Sequence, residues 1–298
     1  MKERKVRKKL LCIGSLIILA FELMADFPTN FQEAKKLFDT RKNKDAQEAF
    51  QKLAPTAPTP KSKAECLSYA AKALGRDKAQ YDAAMEAAKK IEVREISIIT
   101  QMDIMQENRK FKELFDSFKD EDFSKWPGLY QLQAYTIRGC TERIIGQYDA
   151  AKKDLINAIE ISGSDLRSKI IAQGALNDVY FQTKNYENVI KISKQIFELK
   201  QFNGFAPYLT AVLLCAQAQV LQGKSNDALE TMKLIDHMKT GVYKCQALIV
   251  CADIYAAQGK KDEASTKYKE AIAMKGQNGI ADYFINQAQK KLKAVDKK

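Results

Sequence analysis

At 298 residues, with 46% hydrophobic and 29% charged side chains, the chain has room for one repeat array or two globular domains and ample apolar surface for a core. Thirteen Gly and six Pro are few for a β-rich fold, and a single His leaves no His pair for a metal. The net charge of +12 would point to nucleic acid only if it were gathered on one aromatic-studded face. It is not: about a third of the excess sits in residues 1–25 and about a third in the last nine, and elsewhere lysines alternate with acids, as in Lys260-Lys-Asp-Glu263.

Residues 1–25 read as an address rather than as fold. A basic start (Lys2, Arg4, Lys5, Arg7, Lys8, Lys9) precedes an apolar run from Leu10 to Phe21, and Ala25 follows as a small residue before a cut. A spanning helix needs about 20 apolar residues, so the run predicts a cleaved signal peptide. That places the mature chain outside the inner membrane, periplasmic or extracellular, in a bacterium. The alternative is an inner-membrane anchor formed by residues 10–25. Cys12 opens the apolar run instead of closing it, which argues against a lipid-bearing cysteine.

From residue 26 onward the chain predicts helices joined in pairs, with no alternating strand pattern. Asp26–Asn30 offers cap residues before an apolar stripe ending at Phe38, and a second helix carries Ala46, Phe50 and Leu53 before Pro55, Pro58 and Pro60 stop it. The next pair covers Ser62–Leu74 and Tyr81–Ile91. No Gly or Pro occurs from Lys89 to Glu107, which predicts nearly continuous helix across that junction. Asp120–Gly128 is the clearest break, and it holds Trp126, the one tryptophan, expected to pack beneath the loop. Later pairs run from about Leu129 to Met274, with Pro207 suited to the first turn of a helix. A last stretch, Ile280–Val295, reads as an amphipathic cap for the open apolar face of the final pair.

One frame recurs along these pairs. Gly146, Gly223 and Gly259 each precede a small residue by five: Ala151, Ala228 and Ala264. An apolar stripe continues four and seven residues further on, as at Leu155 and Ala158 or Tyr268 and Ala271. The same anchor falls at Ala46, Ala84, Leu114 and Val189, spacings of 30 to 39 residues overall, with Tyr81, Phe111, Tyr148 and Tyr186 three before it in four consecutive pairs. Twelve residues before the anchor lie Ala34, Gly139, Ala216 and Ala252, which let the paired helix approach closely. A stripe repeating at several tens of residues is the signature of a helical solenoid.

The pattern resembles the tetratricopeptide repeat, a pair of antiparallel helices, over roughly residues 27–275. Leu248, Cys251, Ala252, Tyr255, Gly259, Ala264, Tyr268 and Ala271 match it best. The resemblance implies an all-α, right-handed superhelical solenoid of about seven hairpins over residues 26–275, with a capping helix and basic tail at 276–298. It also implies a concave groove lined by the first helix of each pair. The groove residues would be Gln133, Thr136, Cys140 and Arg143, then Asp178 and Phe181, then Thr210, Leu213 and Gln217, then Gln246, Ile249 and Asp253. Phe181, Leu213 and Ile249 would be its exposed apolar anchors. Two aspartates and little positive charge would favour a partner with basic or amide groups over one with a free carboxylate.

Candidate chemistry is sparse. His237 follows Asp236 near a helix end and reads as a surface residue; no phosphate-binding glycine loop follows a strand. Cys66, Cys140, Cys215, Cys245 and Cys251 remain once Cys12 leaves with the signal, without a Cys-x-x-Cys motif. Cys215 and Cys251 fall at equivalent positions in neighbouring pairs, about 10 Å apart in stacked hairpins and beyond disulfide reach, so they read as small core residues. The expectation is therefore a non-catalytic scaffold that binds a peptide segment or helix of a partner protein, without metal, cofactor or nucleic acid. A membrane-tethered envelope assembly factor and a helical-toroid enzyme acting on carbohydrate or peptide are the alternatives. N-terminal sequencing of the exported chain should find it beginning near residue 26; an intact, carbonate-resistant membrane form would establish the anchor instead.

Overall fold

The structure, a computed structural model, describes residues 26–277 and 279–297, so the export segment and the cut before residue 26 lie outside the described residues. Every regular element among them is helical. The first helix, α1, occupies residues 26–39; it is followed by α2 (Asn43–Leu53), α3 (Pro60–Gly75), α4 (Tyr81–Lys89), α5 (Arg94–Glu107), α6 (Phe111–Phe118) and α7 (Gly128–Ile144). Then come α8 (Tyr148–Ile161), α9 (Leu166–Gln182), α10 (Tyr186–Phe197), α11 (Ala206–Leu221), α12 (Ser225–Met232), α13 (Gly241–Ala257), α14 (Lys261–Ala273) and α15 (Asp282–Asp296). The order is that of seven consecutive helix pairs and a terminal helix. The chain divides into two bodies, up to Thr141 and from Glu142 on.

In each body helices pack principally on their first and second neighbours in the chain. In the first, α3 lies against α2, α4 and α5, and α5 against α4 and α6. In the second, α9 packs on α8, α10 and α11; α11 on α10, α12 and α13; and α15 on α13 and α14. Contacts that reach only the neighbouring hairpin are the mark of a repeat array.

The repeat frame is carried by burial. Ala46, Ala84, Leu114, Ala151, Val189, Ala228 and Ala264 are each 0% exposed, and Ala34, Ala216 and Ala252 are at most 2% exposed. Around these crossings run continuous apolar clusters. In the first body Phe27, Ala34, Phe50 and Cys66 pack with Phe31 and Tyr69, whose ring stacks on Phe50 at 4.9 Å. In the second, Ala216 and Ala228 share a cluster with Leu209, Val212 and Ile254, and Ala252, Ala264 and Tyr268 share one with Ile285 and Ala288 of α15.

Six of the seven hairpin turns close in one way. Arg41, Arg109, Gly146, Lys184, Gly223 and Gly259 all have positive φ, between 58° and 81°. In each, the next residue's N–H reaches back five residues, as Lys42 does to the Leu37 carbonyl and Lys260 to the Tyr255 carbonyl, at 2.8–3.0 Å. The left-handed residue itself bonds three back, which completes a Schellman motif. The anchor's own N–H then bonds four back into the turn, at 2.9–3.1 Å. A fixed turn therefore places the anchor five residues after the left-handed position every time. Glycine fills that position in three hairpins; Arg41, Arg109 and Lys184 fill it in the other three, with the strain that a side chain incurs there. The exception is the pair α3/α4, whose longer turn (76–80) is capped by Asp77 accepting from the Ala79 N–H at 3.0 Å.

The connections between pairs vary. Pro55 and Pro58 fall in the link from α2 to α3, Pro60 opens α3, and Thr59 and Ser62 cap it reciprocally at 3.0 and 3.1 Å. Continuous helix from Lys89 to Glu107 does not form. The chain breaks at 90–93, because Ile91 turns inward (4% exposed) to pack with Ala64 and Ile96, and Ser97 Oγ takes up the Ala88 carbonyl at 2.8 Å. That four-residue link, a nine-residue α4 and a 14-residue α5 explain the short spacing from Ala84 to Leu114. The long loop at 119–127 is pinned from beneath. Phe123 is fully buried, Trp126 is 8% exposed and set edge-on to it at 4.7 Å, and Arg138 donates to the carbonyls of Phe118 and Glu121 at 2.9 and 2.7 Å.

Replacing Lys184 with Gly should raise unfolding stability by about 0.5–1 kcal/mol, and Gly259→Ala should lower it by a similar amount, since the space around Gly259 is open and the penalty is conformational alone. Ala264→Leu should cost about 1–3 kcal/mol by overpacking the crossing. Denaturant melts of the three variants check both effects.

Candidate functional site

The expected groove residues divide between the two bodies. Gln133 and Thr136 lie on α7 within the first. Gln133 is exposed beside a shallow cleft with Tyr69, Lys72 and Tyr130, while Thr136 Oγ donates to the Leu132 carbonyl at 2.7 Å, a bond within its own helix. Cys140, on the same helix, is partly buried.

In the second body Thr210, Leu213, Gln217, Gln246 and Ile249 converge on one cleft of about 380 Å³. The α11 wall also supplies Leu214, the α13 wall Val242, Tyr243 and Val250, and α15 closes the third side with Tyr283, Phe284 and Gln287. The geometry follows from the repeat: α11 and α13 are first helices of adjacent pairs and pack directly, and α15 lies against α13. The two branched side chains expected as exposed anchors are instead its floor. Leu213 is 6% and Ile249 3% exposed, because the close helix approach that the small residues permit draws the lining inward. Tyr283, at 67% exposed, stands out at the rim with its ring edge-on to Phe284 at 5.4 Å.

The remaining groove residues are occupied within the protein. Arg143 forms an ion pair with Asp178, which also accepts from Gln182 Nε2 at 3.2 Å. Asp253 pairs with Lys291 of α15 at 2.5 Å and accepts the Tyr268 hydroxyl. Neither aspartate is left to meet a basic partner, so that part of the expectation is revised: both charges serve to tie helices together. Phe181 packs edge-on to Tyr186 at 5.8 Å, inside its own hairpin, and is not part of the cleft lining.

The α15 contribution escaped the sequence reading, which gave that helix only a covering role. Ile285 and Ala288 do cover the last hairpin, 1% and 0% exposed, and Ser265 donates to Asp296 at 2.9 Å. The missed signal was two faces on one helix: Tyr283, Phe284 and Gln287 fall on a stripe beside the one that docks.

Reactive groups are sparse in this body. Its cysteines are free, and among the described residues no group of three or more His, Cys, Asp or Glu is placed to hold a metal. Nor is any described helix long and apolar enough to cross a membrane. His237 is exposed. Burial pushes the Cys215 and Cys251 thiols up to about 11, with Asp236 adding to the effect at Cys251, and burial raises Cys245 as well. The Tyr268 hydroxyl is likewise raised, by burial and then by its bond to Asp253.

No family model and no curated protein matches the chain. Among solved structures it is similar to a tetratricopeptide repeat protein from Parabacteroides merdae ATCC 43184, at 12% identity and a TM-score of 0.47, covering 91% of this chain and 99% of that one.

Since the thiolate is the reactive form, Cys251, which is only partly buried, should alkylate with iodoacetamide at pH 8 about a hundredfold more slowly than a free cysteine with its pKa near 8.5. The rate should climb as pH passes 10. Folded thiols that bind protons more tightly than unfolded ones also make stability fall as pH rises from about 9 to about 11. Peptide-resolved mass spectrometry reads the first effect, and alkylation of Cys251 at the free-cysteine rate would contradict the burial.

Proposed function

We propose that this chain is a non-catalytic protein-interaction scaffold, exported by its first 25 residues, whose cleft between α11, α13 and α15 receives a segment of a partner protein. The observation that carries the reading is the convergence of Thr210, Leu213, Gln217, Gln246 and Ile249 with the α15 aromatics on one concave site. Three helices separated in sequence build it, and each is fixed by buried crossings, so the lining is preorganised and ordering it costs little on binding. The floor is aliphatic and the rim carries amides and an aromatic ring, a mix suited to an apolar side chain flanked by polar contacts. No nucleophile–base pair or metal-ligand cluster is gathered at this cleft, whose lining holds no His, Cys, Asp or Glu.

Leu213 and Ile249 are unsuited to testing this, because a charge on either would be buried and unpaired. Leu214 and Tyr283 are more accessible. Burying side chains of that size contributes about 2 kcal/mol each, so Leu214→Asp and Tyr283→Asp should each weaken partner capture by the mature protein at least about tenfold. The melting temperature should stay near the parent's. Undiminished capture by both variants would move the binding site elsewhere.

A further inference from the structure

The cleft in the second body is free of charge. In a chain with 29% charged residues, none of its twelve lining residues is Asp, Glu, Lys, Arg or His. Two charges carried by α13 are directed elsewhere. Asp253 is held by Lys291 and Tyr268, and Lys244 on α13 lines a different surface, with Glu230, Asp236 and Lys267. A charged side chain entering the cleft would lose water and meet no counter-charge, which is costly.

Three amides face this uncharged space. Gln217 on α11, Gln246 on α13 and Gln287 on α15 line it, one from each wall, and none has a hydrogen bond to another described residue. Each amide offers one acceptor and two donors, the complement of a peptide group, which offers one of each. Free amides in a neutral cleft are therefore matched by an extended backbone whose own N–H and C=O groups are unpaired, whereas a partner helix has already satisfied them internally.

We infer that the occupant of this cleft is an extended, uncharged peptide segment of a partner protein, held through its backbone by Gln217, Gln246 and Gln287 and through one apolar side chain by the aliphatic floor. The inference rests on the proposal that the cleft is a binding site. A neutral glycan would satisfy the amides equally, but its hydroxyls would be desolvated against Leu213, Leu214, Val242, Ile249 and Val250 without partners, so the floor favours the peptide.

The test is to pan a random peptide-display library on residues 26–298, then to measure affinities of synthetic copies of the enriched peptides for the parent and two variants. Expected is a shared core lacking Lys, Arg, Asp and Glu, with one aliphatic or aromatic position. The double variant Gln217→Leu/Gln246→Leu removes two amides and should weaken these peptides by about tenfold or more, and Tyr283→Ser should weaken them separately. Both substitutions are at partly or fully exposed positions, and circular dichroism melts show whether the fold is kept. Enriched peptides with charged cores, or neutral ones indifferent to both variants, overturn the inference while leaving the scaffold reading in place. So does a neutral oligosaccharide such as maltoheptaose binding where peptides do not. Failure to enrich any peptide, together with no oligosaccharide binding, overturns the reading on which the inference rests.

Discussion

A helix of eight or nine residues has no business being stable by itself, and α4, α6 and α12 are that short. Isolated helices below about 12–15 residues are marginal in water, so each exists only because it crosses a longer helix closely enough to bury one face. The crossing residue settles how close that is. At Ala46, Ala84, Ala151, Ala228 and Ala264 the side chain is a single methyl, fully buried. Where a larger anchor stands, at Leu114 and Val189, the neighbouring interior is adjusted. Twelve residues before the first stands the fully buried Met102 in place of a small residue, and near the second the buried Asn177 donates to Ser193 Oγ at 2.9 Å, which passes the bond to the Ala211 carbonyl at 3.2 Å. Two hairpins thus set a larger side chain or a buried hydrogen-bond thread where the others have small residues.

Most of this architecture was legible in the sequence because it is periodic. Anchors, preceding aromatics and small partners recur at fixed offsets, and those offsets are what a helix crossing demands. What escaped was aperiodic or long-range. The left-handed role of Arg41, Arg109 and Lys184 is hidden because no glycine marks it, though it follows once the position is counted back from the anchor. The break at residues 90–93 has no Gly or Pro to announce it; a buried Ile91 and a serine cap impose it from tertiary contact.

The proposed binding face was read less completely than the fold, for a related reason. Helical spacing brought Thr210, Leu213, Gln217, Gln246 and Ile249 to one side, and there they lie. Spacing says nothing of depth, so Leu213 and Ile249 were placed at the surface when neighbouring walls cover them. Nor does it reveal that Asp178 and Asp253 have partners on other helices, Arg143 and Lys291, distant in sequence. The apparent acidity of the groove was a property of composition; both aspartates lie outside the cleft lining, which holds no charged residue. Lys291 also links the cleft to its third wall, because the helix it belongs to carries Tyr283, Phe284 and Gln287.

The constancy of the hairpin turn has a consequence for how such a chain can change length. One residue added between the left-handed position and the anchor would rotate everything after it by about 100° around its helix, carrying the anchor out of the crossing. In six pairs that interval never varies. The links between pairs bear no such obligation, and they range from four residues at 90–93 to nine at 119–127, the latter held down by Arg138. Apart from the longer α3/α4 turn, length varies only at the links. The turns at residues 40–42, 108–110, 145–147, 183–185, 222–224 and 258–260 act as fixed gauges, and the links at 54–59, 90–93, 119–127, 162–165, 198–205 and 233–240 are the joints at which an inserted tag is expected to leave the helix crossings in register.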